Sequence, residues 1–163
     1  MPLAVMDKKL IVFDIGGVLA TIDKSPIIDL CENNSTSVQY FFDDDFLALQ
    51  LGNISVDVFL IKKSFQLGIG VNNIAHAFQA MVVVHQDLRN ILASLKLPFM
   101  IASNINQLHF IHFKHLAGMP PKTTAVLSYQ VGCLKPHHTF FLALLNIAQH
   151  QSGLWFIDDT RKN

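Results

Sequence analysis

Six polar residues that could carry out phosphoryl chemistry follow four short apolar runs of this 163-residue chain. In chain order they are Asp14, Ser103 with Asn104, Lys135 after a short turn, and the pair Asp158 and Asp159. If the runs are parallel strands of an open α/β sheet, their carboxyl ends share one crevice, where such sheets bind ligands. One carboxylate could then attack phosphorus while the others hold a divalent cation. Lys135 and Ser103 could neutralise the phosphate oxygens, so the set predicts phosphoryl transfer.

Each of these residues also has a purely structural interpretation. An Asp before two glycines, as at Asp14, is a common turn signal. Ser103-Asn104 and Asp158-Asp159 could each cap a helix, and Lys135 could be a solvated surface charge. What favours a shared site is that all four groups occur together, in order, at the ends of four successive apolar runs.

The four apolar runs, at residues 10–13, 99–102, 125–127 and 154–157, predict the strands that position these side chains. The runs are nearly unbroken rather than alternating, as expected for parallel strands that are covered on both faces. Two helical faces lie between the later runs, formed by Leu88, Ile91, Leu92 and Leu95 and by Phe141, Leu144, Leu145 and Ala148. The alternation of strands and helices predicts an α/β domain with a parallel sheet.

The stretch from residue 25 to residue 84 has helical patterns and no strand pattern. Helix starts are predicted at Ser25-Pro26, Ser55 and Asn72, and a helix end is predicted at Gly68. A helical stretch of this length between the first two predicted strands is an insertion into the α/β domain rather than a simple crossover.

Composition excludes several other classes of protein. Twelve Lys and Arg balance twelve Asp and Glu without a basic stripe, which argues against a nucleic-acid binder. Hydrophobic residues make up 51% of the chain, yet no stretch approaches the roughly 20 apolar residues of a membrane span. Asp7, Lys8 and Lys9 stand where a secretory signal would need an unbroken apolar segment, so we expect a cytoplasmic protein.

Four segments resemble the motifs of the haloacid dehalogenase (HAD)-like hydrolase superfamily, in the phosphatase-type branch that reads FDxGGVL. They are FDIGGVL at 13–19, IASNIN at 101–106, LSYQVGCLKP at 127–136 and FIDDT at 156–160. His109 and Asn163 stand where the family often has His and Asn, and LGNIS at 51–55 with Phe59 is similar to its cap-domain pattern. The resemblance covers essentially the whole chain.

The resemblance implies a Rossmann-like HAD core, formed by residues 1–22 and 85–163, and a small helical cap at residues 23–84. The cap would close over the site and select the substrate. The implied activity is that of a Mg²⁺-dependent phosphatase of small phosphorylated metabolites, with sugar phosphates as the first guess.

The family's site roles carry over to matching positions of this chain. Asp14 would be the nucleophile that forms an aspartyl-phosphate, and Ser103 would bind the transferring phosphoryl group with Asn104 beside it. Lys135 would pair with both Asp14 and the phosphate. Mg²⁺ would be held by Asp14, the backbone carbonyl of Gly16, Asp158 and Asp159.

One departure from the family pattern concerns acid–base catalysis. Phosphatases of the superfamily usually carry a second Asp two residues after the nucleophile, whereas this chain, like its branch, has Gly16 there. General acid–base help is typically worth about 10²–10⁴ in rate, so slow turnover or dependence on a good leaving group is expected. A bound water, Asp23 or His85 are the candidate replacements.

The other departure is the early stop at Asn163, where family members continue with a helix and a fifth strand. The run at 154–157 is therefore expected to form an exposed sheet edge that can pair with another copy. Two alternative functions stay open at this point. One is a truncated, inactive relative that binds or oligomerises, and the other is a 2-haloacid dehalogenase, which uses the same Asp nucleophile without a metal. Asp158-Asp159 favours the metal-dependent phosphatase over the dehalogenase.

Overall fold

The structure, a computed structural model, describes residues 9–148 and 152–160. Asn163 and the outermost parts of the predicted core segments lie outside the described residues. The strands are β1 (Lys9–Phe13), β2 (Ala20–Ile22), β3 (Val82–Val84), β4 (Phe99–Ser103), β5 (Ala125–Leu127) and β6 (Gly153–Ile157). The helices are α1 (Ser25–Asn33), α2 (Asp44–Gln50), α3 (Val56–Leu67), α4 (Val71–Ala80), α5 (Leu88–Ser94), α6 (Gln107–Ala117), α7 (Ser128–Val131) and α8 (His138–Ala148), with a short 3-10 helix at Val38–Tyr40.

The centre of the fold is a four-stranded parallel sheet in the order β5-β4-β1-β6. Successive side chains of a strand point to opposite faces, so an unbroken apolar strand needs a cover on both sides. Ile11, Phe13 and Ile101 pack on one face against α5 and α6. Val12 and Met100 pack on the other face against α8. The predicted α/β fold with a parallel sheet is confirmed.

The edge strand β6 is less covered than the sequence pattern predicts. Leu154 and Phe156 pack toward α8, whereas Trp155 is 54% and Ile157 42% exposed. Within the described residues β6 pairs with β1 alone. Its other backbone edge has no partner strand there.

The four helices α1 to α4 form what we call the helical block, residues 25–80, which packs around its own aromatic core. Phe41, Phe59 and Phe78 are fully buried, with ring centroids 5.2–5.5 Å apart. Aromatic pairs at these separations contribute about 0.5–1.5 kcal/mol each beyond their area burial. The block therefore has a core of its own, distinct from the two faces of the sheet.

A buried lysine, which no sequence pattern pointed to, joins three segments of the helical block. The Lys63 ammonium donates to the carbonyl of Tyr40 at 2.7 Å, to Asp43 at 2.6 Å and to Gln66 at 2.8 Å. Burial works to raise the pKa of Asp43, but its bonds to Lys63 and Gln66 outweigh burial and hold that pKa below its usual value. Asp43 also caps α2 by accepting from the backbone N–H of Asp45.

The boundaries of the helical block correct three sequence-based expectations. A two-stranded antiparallel ribbon, β2 with β3, connects the block to the sheet, although no strand was expected in residues 25–84. The N-cap of α1 is Lys24 rather than Ser25, and that of α4 is Gly70 rather than Asn72. The predicted cap at Ser55 and the predicted end at Gly68 are confirmed.

Two residues of the apolar faces predicted for α5 and α8 are exposed in the structure. Ile91 and Leu145 are each 52% exposed. On α8 the buried stripe is Phe140, Leu144 and Ala148, which follows an i, i+4, i+8 spacing. None of the described helices combines the length and the apolar character that crossing a bilayer requires.

Candidate active site

The carboxyl end of the parallel sheet brings together the polar residues singled out in the sequence. Asp14 directly follows the central strand β1, Ser103 is the last residue of β4, and Asp158 directly follows β6. Parallel strands all end at the same edge, which is why residues far apart in the chain meet here. The backbone N–H of Asp14 donates to the carbonyl of Ile157 at 2.9 Å and holds the two carboxylate-bearing strand ends in register.

Lys135 lies at the centre of this group. Its Nζ atom is 2.9 Å from Asp14 Oδ2 and 2.6 Å from Asp158 Oδ2, and its side chain is 1% exposed. Removing one partner of a buried ion pair typically costs about 3–5 kcal/mol, because an uncompensated charge is left behind. Lys135 therefore both joins the two strand ends and offsets part of their negative charge.

Asn104 fixes the backbone that carries Lys135. Its Oδ1 atom accepts from the Lys135 N–H at 2.6 Å, and its Nδ2 atom donates to the Lys135 carbonyl at 3.0 Å. With both ends of its amide engaged, Asn104 acts on the site through Lys135. The sequence placed Asn104 beside the phosphoryl group, and it does line the same cavity as Asp14 and Ser103.

Three carboxylates form a cluster with the spacing of a cation site. Asp14, Asp158 and Asp159 each offer one oxygen, and these oxygens lie within 4.8 Å of one another. Backbone groups also hold two of these carboxylates: Asp14 Oδ1 accepts from the N–H of Ile15 at 2.7 Å, and Asp158 Oδ1 from that of Thr160 at 2.8 Å. A set of oxygen ligands with net negative charge is what Mg²⁺ prefers, so these residues fit the cation that the sequence predicted.

Gly17 allows Asp159 to approach the turn that follows Asp14. Its φ angle is +72°, and a Cβ atom at this position would collide with Asp159 Oδ2. A side chain at position 17 would therefore be strained by the left-handed backbone and would displace the Asp159 carboxylate. Gly16, by contrast, has room: its nearest neighbour would be Ile22 Cγ1 at 3.6 Å, an ordinary contact.

A cavity of about 240 Å³ opens above Asp14, between the sheet edge and the helical block. Asp14, Gly16 and Ser103 line it from the sheet, and Phe46 and Gln50 line it from α2. Asp14 can thus reach a molecule bound in the cavity. Of the replacement acids considered from sequence, neither Asp23 nor His85 is among the lining residues, and His85 lines a separate groove beside β3.

Two hydrogen bonds fix the helical block above the site. The Ser128 hydroxyl donates to the carbonyl of Gln50 at 2.8 Å and also accepts from the N–H of Ile105 at 3.0 Å. His109, on α6, lies 2.8 Å from the carbonyl of Phe78, on α4. Both contacts join residues next to the site to a segment of the block, so the cavity wall is positioned by the core.

No protein-family model and no curated protein sequence matches this chain. Solved structures do match. A HAD family enzyme from Bacteroides thetaiotaomicron is 22% identical over 94% of this chain and 85% of its own, with a TM-score of 0.78. The chain has the fold of HAD family enzymes.

Two further structures bear on the HAD fold and its ligands. The same Bacteroides enzyme in complex with magnesium and inorganic phosphate is 22% identical over 94% of this chain and 86% of its own, with a TM-score of 0.74. L-2-haloacid dehalogenase from Xanthobacter autotrophicus is 18% identical over 91% of this chain and 69% of its own, with a TM-score of 0.55. The likeness is thus greater to the magnesium and phosphate complex than to the dehalogenase.

Proposed function

We propose that this chain is a HAD-type, Mg²⁺-dependent phosphatase of small phosphorylated metabolites, with sugar phosphates as the first class to try. The observation that carries the proposal is the placement of Lys135 between Asp14 and Asp158, with Asp159 completing the cluster. A nucleophilic carboxylate, further acids and a buried ammonium at one edge of the sheet suit the transfer of a phosphoryl group.

In the proposed reaction an oxygen of Asp14 attacks phosphorus, and the bond from phosphorus to the leaving oxygen breaks. A water then attacks the aspartyl-phosphate, which releases inorganic phosphate and restores the carboxylate. Ser103 and Lys135 bind phosphate oxygens, and Asn104 holds Lys135 in place. Mg²⁺, held by Asp14, Asp158, Asp159 and the carbonyl of Gly16, would supply charge neutralisation on the phosphoryl oxygens.

The helical block supports the proposal of a cap. Residues 23–84 would serve as the cap and residues 1–22 with 85–163 as the core, because the cavity is walled on one side by the sheet edge and on the other by α2. Closure over the site would exclude bulk solvent while leaving room for the water that takes part in the reaction.

Protonation of the leaving group is the weak point of the proposed reaction. Gly16 has no side chain to donate a proton, and Asp23 holds its carboxylate against the Ser25 N–H and hydroxyl at 2.9 and 2.6 Å. Water is then the proton source, and esters with poor leaving groups should react slowly.

Phosphate release from a panel of phosphate monoesters, with Mg²⁺ and with EDTA, tests the proposal. The Asp14→Asn variant keeps the shape of the side chain and removes the attacking charge, so its activity should fall to background. The exposed Asp29→Asn change on α1 is the matched control. Full activity in EDTA or in Asp14→Asn would refute the proposed mechanism, and chloride release from 2-chloropropionate would favour the dehalogenase instead.

A further inference from the structure

Lys24 brings a positive charge to the cavity from the side of the helical block. It is exposed, it lines the cavity together with Asp14 and Ser103, and it is the N-cap residue of α1. Its ammonium lies 4.8 Å from the centroid of the Phe42 ring. No carboxylate within residues 9–148 and 152–160 lies at ion-pair distance from it.

The other basic groups near the cavity do not offer a free positive charge, and Lys135 is not among the lining residues. Lys135 is bonded to Asp14 and Asp158. His109 lines the cavity, but burial lowers its pKa to about 4, so it is neutral at pH 7. The three carboxylates are balanced by Lys135 and the proposed Mg²⁺, which leaves no net positive charge for an anionic substrate, whereas Lys24 adds one.

The position of Lys24 separates it from the groups proposed to bind the transferring phosphate. Asp14, Ser103 and Lys135 belong to the sheet edge, whereas Lys24 directly precedes the helical block, which would face the leaving group. The cavity of about 240 Å³ lies below the roughly 300–1,000 Å³ of typical ligand pockets, which suits a short substrate. On the cavity side opposite the sheet edge, Phe46 is an apolar lining residue and Lys24 is a charged one that can contact an anionic group.

We propose that Lys24 binds a second anionic group of the substrate. The site should then prefer short phosphate monoesters that bear a carboxylate over monoesters of equal length whose second group is uncharged. The proposal rests on the proposed phosphatase function and narrows its substrate class. A charged hydrogen bond typically corresponds to roughly a tenfold difference in affinity or more.

The test compares 2-phosphoglycolate with 2-hydroxyethyl phosphate, which have similar length and differ in the carboxylate. We expect kcat/KM at least roughly tenfold higher for phosphoglycolate. Lys24→Met should abolish that preference, mainly through a higher KM for phosphoglycolate. Lys62→Met is the control, because Lys62 is an exposed lysine of the helical block that pairs with Asp45 and is not among the cavity-lining residues. Equal rates for the two esters in the unmodified protein, or an equal loss on both in Lys24→Met, would overturn the proposal.

Binding separates this proposal from the phosphatase function itself. Calorimetric titration of the Asp14→Asn protein and its Lys24→Met double variant with both esters, in Mg²⁺, requires no turnover. If phosphoglycolate binds more tightly in a Lys24-dependent way while the unmodified protein hydrolyses nothing, the phosphatase proposal fails and the role of Lys24 stands. If esters are hydrolysed but Lys24 makes no difference to either measurement, the role of Lys24 is wrong and the phosphatase proposal stands.

Discussion

The Nε2 atom of His109 lies 2.8 Å from the carbonyl oxygen of Phe78, and the two rings pack at a tilt with centroids 4.2 Å apart. A carbonyl can only accept, so Nε2 carries the proton and donates it. Burial of the ring lowers the pKa of His109 to about 4. The imidazole that joins α6 to α4 is therefore neutral across the physiological range.

Acidification should weaken the fold through His109. In the unfolded chain the imidazole of His109 is protonated near its ordinary pKa of about 6.5, whereas in the folded chain it is protonated only near pH 4. The free energy of unfolding therefore decreases as the pH falls from about 6.5 to 4. Between pH 7 and pH 5 the free energy of unfolding should drop by roughly 2 kcal/mol from this residue. Urea unfolding at both pH values measures it. His109→Gln should remove this part of the pH dependence, the exposed His138→Gln should not, and identical slopes in all three proteins would contradict the assignment.

Magnesium should stabilise the folded protein through the carboxylate cluster. Asp14, Asp158 and Asp159 repel one another, and a cation that binds only the folded state raises the melting temperature by mass action. Scanning calorimetry with millimolar Mg²⁺ should show a higher melting temperature than with EDTA. The shift should shrink in Asp159→Asn and persist in the exposed Asp29→Asn. An unchanged melting temperature in Mg²⁺ would count against a cation site here.

Placing a carboxylate at position 16 should speed the hydrolysis of poor substrates. A Cβ atom on Gly16 meets only Ile22 Cγ1 at 3.6 Å, and its φ angle is not in the left-handed region, so the turn tolerates a side chain there. An added general acid should raise kcat for alkyl phosphates, by up to about 10²–10⁴, and change the rate for p-nitrophenyl phosphate little. Gly16→Asn is the control without a proton to donate. Equal behaviour of the Asp and Asn variants would show that protonation does not limit turnover.

The β6 edge should make the protein self-associate. Trp155 and Ile157 are exposed beside backbone groups that pair on one side alone among the described strands, which is an arrangement prone to edge-to-edge pairing. Light scattering should show a mass that rises with concentration. Trp155→Lys should suppress the rise, whereas Phe65→Lys, at an 86% exposed position of α3, should not. A monomer at all concentrations would contradict this prediction.

The site was predictable from the sequence to a larger extent than its surroundings. Parallel strands end at one edge, so apolar runs followed by Asp14 and Asp158 already implied a meeting point. The ribbon of β2 and β3 was missed because each strand has three residues and its partner lies some 60 residues away, beyond the range of any local pattern. The burial of Lys63 could not be predicted from residue propensities, because a buried lysine depends on hydrogen-bond acceptors that tertiary packing brings to it.

Helix faces were predicted less well, for a related reason. Apolar spacing identified α5 and α8, but which side chains are covered depends on what packs against the helix. Ile91 and Leu145 match the spacing and yet face solvent. The fixing of Lys135 by Asn104 was equally unreadable, because it links a loop after β4 to one after α7 through a single amide.

Because Gly17 lies close to Asp159, substitutions at these two positions, which are far apart in the sequence, affect each other. Because a Cβ atom at 17 would collide with Asp159 Oδ2, any residue larger than glycine there would push the carboxylate away from Asp14 and Asp158. A library that varies residue 159 alone changes the side chain offered to the cation and leaves the turn at Gly17 unchanged. A library that varies residue 17 also changes where the carboxylate at position 159 can lie. The Asp159 carboxylate can approach Asp14 and Asp158 because Gly17 has no Cβ atom.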